Sequence, residues 1–278
     1  MTFNYTLPNT EYRKPIVNAI LETVSVICVC YNEEPNKIRA TINSIIAQDY
    51  PNIEIIIIDG GSKPDTLDVF KEYQEQIDYM VSEEDRGIFD AMNKGIFRAT
   101  GDWIIFMNIG DKFYDRHSLS GLMAGANRDV DILYGGISSD DLIVVPPLQV
   151  SKYTLYTRGI CHQALLARRS LFFKVGQFNL AYIICGDPEW IIRAFKQGAA
   201  FKYMNVVVAN YEGYGFSSNY HRRKYYWKML LCEHFSRTEI IAYWLRWILE
   251  RSIRRIVKLD FSIPTCIKRY FHKNRKDS

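Results

Sequence analysis

Four short apolar runs, each closing on polar or acidic residues, constrain the fold of this chain more than any other feature. VSVICVC (24–30) leads to Asn32 and Glu33, and IEIIIIDGG (53–61) carries Asp59. IDYMVSE (77–83) leads to Glu84 and Asp85, and WIIFM (103–107) to Asn108 and Asp111. Such β-branched runs read as buried strands. Helical patterns lie between them. Asn36 is placed to cap a helix with Ile38, Ile42, Ile45 and Ile46 on one face, and residues 65–76 read as a second helix. A third carries the stripe Ile88, Ala91, Met92, Gly95, Ile96 and Ala99. The alternation predicts βαβ units and an α/β fold with a mainly parallel sheet. Ligands of such sheets bind beyond the carboxyl ends of the strands. The polar residues are therefore expected to converge on one rim, as an active site.

The pattern becomes less regular after residue 130. DILYGG and LIVVPP read as short strands, 188–198 as a helix, 200–210 as a strand, and the chain from Arg222 as helices. With 278 residues, 48% hydrophobic and 24% charged, the chain suits one large domain, expected over 1–221, and a helical extension over 222–278. Cys28 and Cys30 share a strand face, but no Cys/His spacing completes a zinc pattern, so the six cysteines are read as reduced thiols.

The polar N-terminus lacks the apolar core of a signal peptide, and no apolar stretch approaches the ~20 residues that span a bilayer. A cytoplasmic protein is expected. Charge is uneven. Residues 222–278 hold 15 Lys and Arg against 5 Asp and Glu, whereas the preceding 221 hold 20 against 26. The segment 240–259 is apolar almost all round in its first half, with Trp244 and Trp247, and basic in its second. A packing helix accounts for the first half alone. An interfacial helix on anionic lipid accounts for both, which predicts peripheral attachment to the inner face of the cell membrane. No nucleic-acid reading module is recognisable, and no nucleic-acid partner is expected.

VSVICVCYNEE, IEIIIIDGGSKPDT, SEEDRGIFDAMNKGI and GDWIIFMNIGD occur in an order and spacing that resemble the nucleotide-binding half of bacterial family 2 glycosyltransferases. HQALLARRSLF, VGQFN and CGDPEWIIRAF resemble that family's acceptor-side segments. The resemblance spans roughly residues 22–220, with the nucleotide-binding half over about 22–115 and the acceptor half over 116–221. It implies the GT-A fold and inverting hexosyl transfer from a nucleotide-sugar, expected to be a UDP-sugar. It further implies Mn2+ or Mg2+, a glycan or polyprenyl-linked glycan acceptor, and a role in surface polysaccharide synthesis.

The candidate residues follow. A hard cation bridging a diphosphate leaving group needs few protein carboxylates, and the resemblance places Asp111 there as metal ligand. The acidic loop of the family is reduced here to Asn108-Ile109-Gly110-Asp111, leaving Asn108 as a neutral neighbour or ribose contact. Asp59 is implied as a uracil or ribose contact, although it also suits a helix-entry cap, and Glu33 as a further seat for the nucleotide. Arg86 and Lys94 suit phosphate or donor sugar, Asp85 and Asp90 sugar hydroxyls, and Asn93 a tie from its helix to a neighbouring strand.

Asp187 is implied as the base that deprotonates the acceptor hydroxyl. Followed by Pro188 and Glu189, it equally suits a helix N-cap, and Gly186 stands where the family carries another acid. His162 and Gln163 are expected on the acceptor side, and His221 as a late metal or phosphate ligand. A nucleotidyltransferase is the rival enzyme class, but YNEEPNK stands where its glycine-rich basic loop would be. A non-catalytic membrane-associated relative is the other alternative.

Overall fold

The computed structural model describes residues 21–139, 142–157, 159–211 and 220–256. The chain begins β1 (Val24–Cys30), α1 (Pro35–Ile46), β2 (Ile53–Asp59), α2 (Pro64–Lys71), β3 (Tyr79–Ser82), α3 (Ile88–Arg98) and β4 (Trp103–Phe106). β1 is buried along its whole length and pairs in parallel with β2 on one side and β4 on the other. Its side chains alternate between two cores. Val26, Cys28 and Cys30 pack with α1 and α2, whereas Ile27 and Val29 pack with α3. A strand buried on both faces reads as an unbroken apolar run, which is why it was legible in sequence.

Helix α1 starts one turn earlier than the Asn36 reading places it. Glu34 is its N-cap and Pro35 its first residue, where a missing N–H is harmless. Ile38, Ile42 and Ile45 are buried as expected, but Ile46 faces outward.

The second half adds β5 (Lys112–Phe113), α4 (Ser118–Met123), β6 (Ile132–Ser139), β7 (Leu142–Val144), α5 (Lys152–Thr157) and a 3-10 turn (His162–Ala164). It continues with β8 (Leu165–Arg168), α6 (Arg169–Val175), α7 (Gly186–Lys196) and β9 (Phe201–Asn210). The sheet order is β3-β2-β1-β4-β8-β6-β9-β5, with β7 paired to β6. Parallel pairing holds from β3 to β4. Beyond it the sheet is mixed, since β8 runs antiparallel to both β4 and β6, while β6 and β9 are parallel.

Two helices follow, α8 (Tyr220–His234) and α9 (Arg237–Ile256). Leu230 and Phe235 enter the core formed by α3, α6 and α7, and Ile240 and Tyr243 pack against it. No helix among the described residues is long and apolar enough to cross a membrane. Cys28, Cys30, Cys161, Cys185 and Cys232 are free thiols, and burial pushes Cys185 up to about 12. Cys266 lies outside the described residues.

One close approach fixes how α3 meets the sheet. A Cβ on Gly95 would lie 2.4 Å from Ile27 Cγ2, and Ile27 is fully buried. Gly95→Ala should therefore lower the urea midpoint despite alanine's better helix propensity. Overpacking a rigid core costs about 1–3 kcal/mol, against about 1 kcal/mol gained from propensity. An unchanged or raised midpoint would mean that helix and strand are not held this tightly.

Candidate active site

A cleft of about 1470 Å³ opens at the carboxyl ends of β1 and β4, where the crossovers to either side of β1 diverge. Glu33, Asp85, Asn108, Asp111, His162, Gln163 and Asp187 all line it. Residues up to 154 positions apart in sequence thus meet at one cavity, and two of their links define its chemistry.

The first concerns Asp111, whose carboxylate is almost fully buried. Its Oδ2 accepts a hydrogen bond from Gln163 Nε2 at 2.8 Å. The loop that carries it is hung on α1. Thr41 Oγ1 donates to the Asp111 carbonyl at 2.6 Å and accepts from Gly110 N at 3.1 Å. Ser44 Oγ accepts from Phe113 N, and Gln48 bonds both the Asp115 carbonyl and Leu119 N. Thr41, Ser44 and Gln48 form a polar stripe beside the isoleucine stripe of the same helix. Gly110 sits at φ +104°, in the region that favours glycine.

The second link concerns Asp187, in the first turn of α7. Its Oδ2 lies 3.2 Å from His162 Nδ1, and His162 Nε2 lies 3.2 Å from Asn108 Nδ2. An amide nitrogen only donates, so Nε2 accepts and the imidazole proton sits on Nδ1, facing Asp187. His162 and Gln163 are adjacent, so one 3-10 turn holds Asp187 with one residue and Asp111 with the next. Gly186 has a steric cause. A Cβ there would lie 2.7 Å from the Phe89 ring, which leaves no room for a second acid.

The other predicted residues separate. Asp85 borders the cleft, accepts from Gly87 N at 2.8 Å, and packs against Gly60, where a Cβ would lie 2.6 Å from Asp85 Oδ2. Glu33 lies 3.9 Å from Lys37 on the same wall. The Asp59 carboxylate, in contrast, is fully buried beneath the rim. It accepts from Gly61 N, Ser62 N, Ser62 Oγ and Ser82 Oγ at 2.5–3.1 Å, which pins the turn after β2 to β3.

Arg86, Asp90, Asn93 and Lys94 border a separate recess of about 350 Å³. Arg86 pairs with Asp90 at 2.9 Å and holds its carboxyl below the usual range. Lys94 binds the Glu84 carbonyl and the Glu83 carboxylate. Asn93 exchanges two hydrogen bonds with the backbone of Phe178, so it ties α3 to a loop rather than to a strand. The His221 side chain lies outside the described residues.

A divalent metal fits the donor set. Asn108 Oδ1 is buried and accepts no hydrogen bond among the described residues. Beside the Asp111 carboxylate it makes a second hard oxygen of the kind Mg2+ and Mn2+ take. Glu189, Glu233 and His234 also cluster at ligand spacing, but none of them lines the cleft. Arg193 grips both oxygens of Glu189 at 2.7 and 3.0 Å, making this an ion-pair knot between α7 and α8.

Tyr31 and Lys37 also line the cleft, Tyr31 with its ring 65% exposed. Neither carries a motif signal, although an exposed aromatic directly after a buried strand is itself a cue. The far wall is built by residues of α8 and α9, among them Trp227, Trp244 and Trp247. Composition gave no hint of this.

A switch-point cleft with acids on both walls defines a group-transfer enzyme of the GT-A type. The sequence profile described as Glycosyl transferase family 2 matches residues 25–184, and the chain belongs to that family. It is 32% identical over 213 residues to a PGL/p-HBAD biosynthesis glycosyltransferase of Mycobacterium tuberculosis, covering 74% of this chain and 80% of that one. Its fold is similar to that of S. aureus TarS 1-349 in complex with UDP-GlcNAc. That similarity has a TM-score of 0.59 at 18% identity, and covers 68% of this chain and 58% of that one. It is also similar to the mannosyltransferase PcManGT of Pyrobaculum calidifontis in complex with GDP-Man and Mn2+. There the TM-score is 0.58 at 19% identity, covering 89% and 67%. These two likenesses show the fold.

Asp85 generates a pH prediction. Burial is the main influence on it and raises its carboxyl above the ordinary range. The Gly87 N–H and Lys94 oppose the shift, while Asp90 and Asp59 add to it. The folded chain therefore holds this proton more tightly than the unfolded chain does. Stability contributed by this group falls as pH rises from the ordinary carboxylate value through the raised folded one, and stays lower above it. Asp85→Asn keeps an oxygen for Gly87 N and should raise the urea midpoint at neutral pH, with no gain at acid pH. An equal gain at both would trace the effect to something other than ionisation.

Proposed function

We propose that this chain transfers a sugar, with inversion, from a nucleotide-sugar to a hydroxyl of a glycan or lipid-linked glycan. The carrying observation is the turn that fixes Asp111 with Gln163 and Asp187 with His162 in one cleft. One carboxylate is thereby held at the donor side and one base at the acceptor side. UDP-GlcNAc in TarS and GDP-Man with Mn2+ in PcManGT support the donor class, and a UDP-sugar is the reading adopted here.

In this reading Tyr31 offers a ring face to the base, and Glu33 and Asp85 meet ribose or sugar hydroxyls. Asp59 and the α3 groups act indirectly, by holding the turns that present these residues. Asp111, with Asn108, would hold Mn2+ or Mg2+, which when bound supplies charge neutralisation for the departing diphosphate. Asp187 takes the proton of the acceptor hydroxyl as that oxygen bonds to the anomeric carbon, and the bond to the nucleotide diphosphate breaks on the opposite face. One displacement with one base gives inversion. His162 keeps Asp187 ionised and aimed by donating Nδ1–H to it.

Asp187→Asn preserves size and capping, yet takes no proton at neutral pH. It should fold and bind nucleotide normally and transfer about 10²–10⁴-fold more slowly, read by nucleotide release from a panel of nucleotide-sugars. Asp111→Ala should instead abolish the metal dependence of nucleotide binding. Near wild-type transfer by Asp187→Asn, or a product of retained configuration by NMR, would sink the mechanism.

The reading extends to a peripheral site on the inner face of the cell membrane. Ile241, Trp244, Leu245, Ile248 and Leu249 form an outward stripe on α9, 36–60% exposed, in the most basic part of the chain. That combination suits an anionic bilayer surface. The protein should sediment with phosphatidylglycerol-containing vesicles, less so as salt is added, and Leu245→Glu with Leu249→Glu should release it. Indifference of the intact protein to such vesicles at low salt would remove the membrane from the reading.

A further inference from the structure

The cleft is larger than its donor requires. Ligand sites for small molecules occupy about 300–1,000 Å³, and this cavity holds about 1470 Å³. The additional space lies toward the C-terminal helices, and its lining differs from that of the strand-end rim. Val144, Val145 and Pro146 border it on one side, and Trp227, Trp244 and Trp247 on the other. Arg223, Lys224 and Arg251 supply its charge. α8 and α9 contribute no carboxylate or carboxamide to the lining. A sugar bound here would therefore lack the paired donors and acceptors its hydroxyls need.

α9 is clamped so that its residues stay in the wall. Lys152 binds Glu239 at 2.7 Å, Tyr153 donates to Glu250 at 2.9 Å, and Tyr153 and Tyr243 stack edge to face at 5.6 Å. This turns Ile240, Tyr243 and Trp247 inward and Ile241, Leu245, Ile248 and Leu249 outward. Trp244 belongs to both surfaces. It is 52% exposed on the outer stripe and also lines the cleft. Val145 does the same on the opposite edge, next to the exposed Leu142 and Ile143 of β7. The apolar surface is thus continuous from the outside of α9 and β7 into the cavity, with cations inside.

We propose that α8, α9 and the β7 edge form the acceptor subsite, and that the acceptor is an anionic amphiphile. Its apolar chain lies along the tryptophans and Val144–Pro146, and its phosphate-like head meets Arg223, Lys224 and Arg251. This rests on the transferase reading, because it assigns the acceptor of that reaction. Indole and aliphatic walls take the chain by burial, and clustered guanidinium and ammonium groups take the anion. The hydroxyl to be glycosylated is presented toward Asp187, on the same cleft.

The tryptophans supply the readout. Trp103 and Trp190 are buried in the cores, whereas Trp227, Trp244 and Trp247 line the cleft. The full-length protein is titrated with octyl, decyl and dodecyl phosphate below their micelle concentrations, following emission and, in parallel, heat of binding. Inorganic phosphate, dodecyl maltoside and a short oligosaccharide serve as controls. Affinity for the alkyl phosphates should rise by up to about fourfold per added methylene. Inorganic phosphate and the oligosaccharide should bind far more weakly, and Lys224→Glu should weaken dodecyl phosphate while UDP binding persists.

Equal affinity for inorganic and dodecyl phosphate would make this a plain anion site and overturn the proposal. So would equal affinity for dodecyl maltoside, or tighter binding of the oligosaccharide. UDP binding by the wild type separates the two levels. If UDP binds and alkyl phosphates do not, only the acceptor assignment fails. If UDP does not bind, the transferase reading fails with it.

Discussion

The structure depends on β1 being buried on both faces and paired in parallel on both edges. A strand with no solvent-facing side can contribute chemistry only past its end. Because the connections to β2 and to β4 leave β1 in opposite directions, their loops part there and leave a crevice. Everything functional is assembled around that crevice. Tyr31 and Glu33 follow β1 directly, Gly60 follows β2, Asp85 follows β3, and Asn108 and Asp111 follow β4.

The polar groups at the crevice are held by partners far away in sequence. α1 shows one side chain doing two jobs. Its isoleucines bury it against the sheet, and Thr41, Ser44 and Gln48, one position round the helix, hold the loop of Asp111. The His162–Gln163 turn plays the matching part from the second half of the chain. Buried polar groups must be bonded, so the loop that carries the carboxylate is set by α1 from below and by the turn from above. Asn108 Oδ1 departs from that rule at the one place where a cation would sit.

The C-terminal helices change meaning between composition and structure. As composition they are a basic, tryptophan-bearing tail. As structure they are a wall of the cleft, tied to α5 by Lys152–Glu239 and Tyr153–Glu250 and to α7 by Glu189, Arg193 and His234. One helix thereby offers one face to the active cavity and the other to the outside, which places the acceptor and any membrane at the same end of the molecule.

The sequence by itself determined the parallel half of the sheet, the helices that cover it, and the rim on which the acids gather. Those signals are local: an apolar run fixes a doubly buried strand, and periodicity fixes a helix. It did not reveal β5, β8, α5 or α6, which are short elements of the mixed half with too few residues to show a period. Nor could it sort the rim residues. Asp59 and Asp85 look alike in sequence, yet one carboxylate is enclosed by four donors and the other borders the cleft. Arg86 and Lys94 carry the charges a phosphate would want, yet they border another recess. Only the tertiary structure decided these roles. The direction of a side chain and the partner it meets depend on contacts between distant segments, such as His162 with Asp187 or Thr41 with Asp111, and a pattern of neighbours along the chain does not encode them.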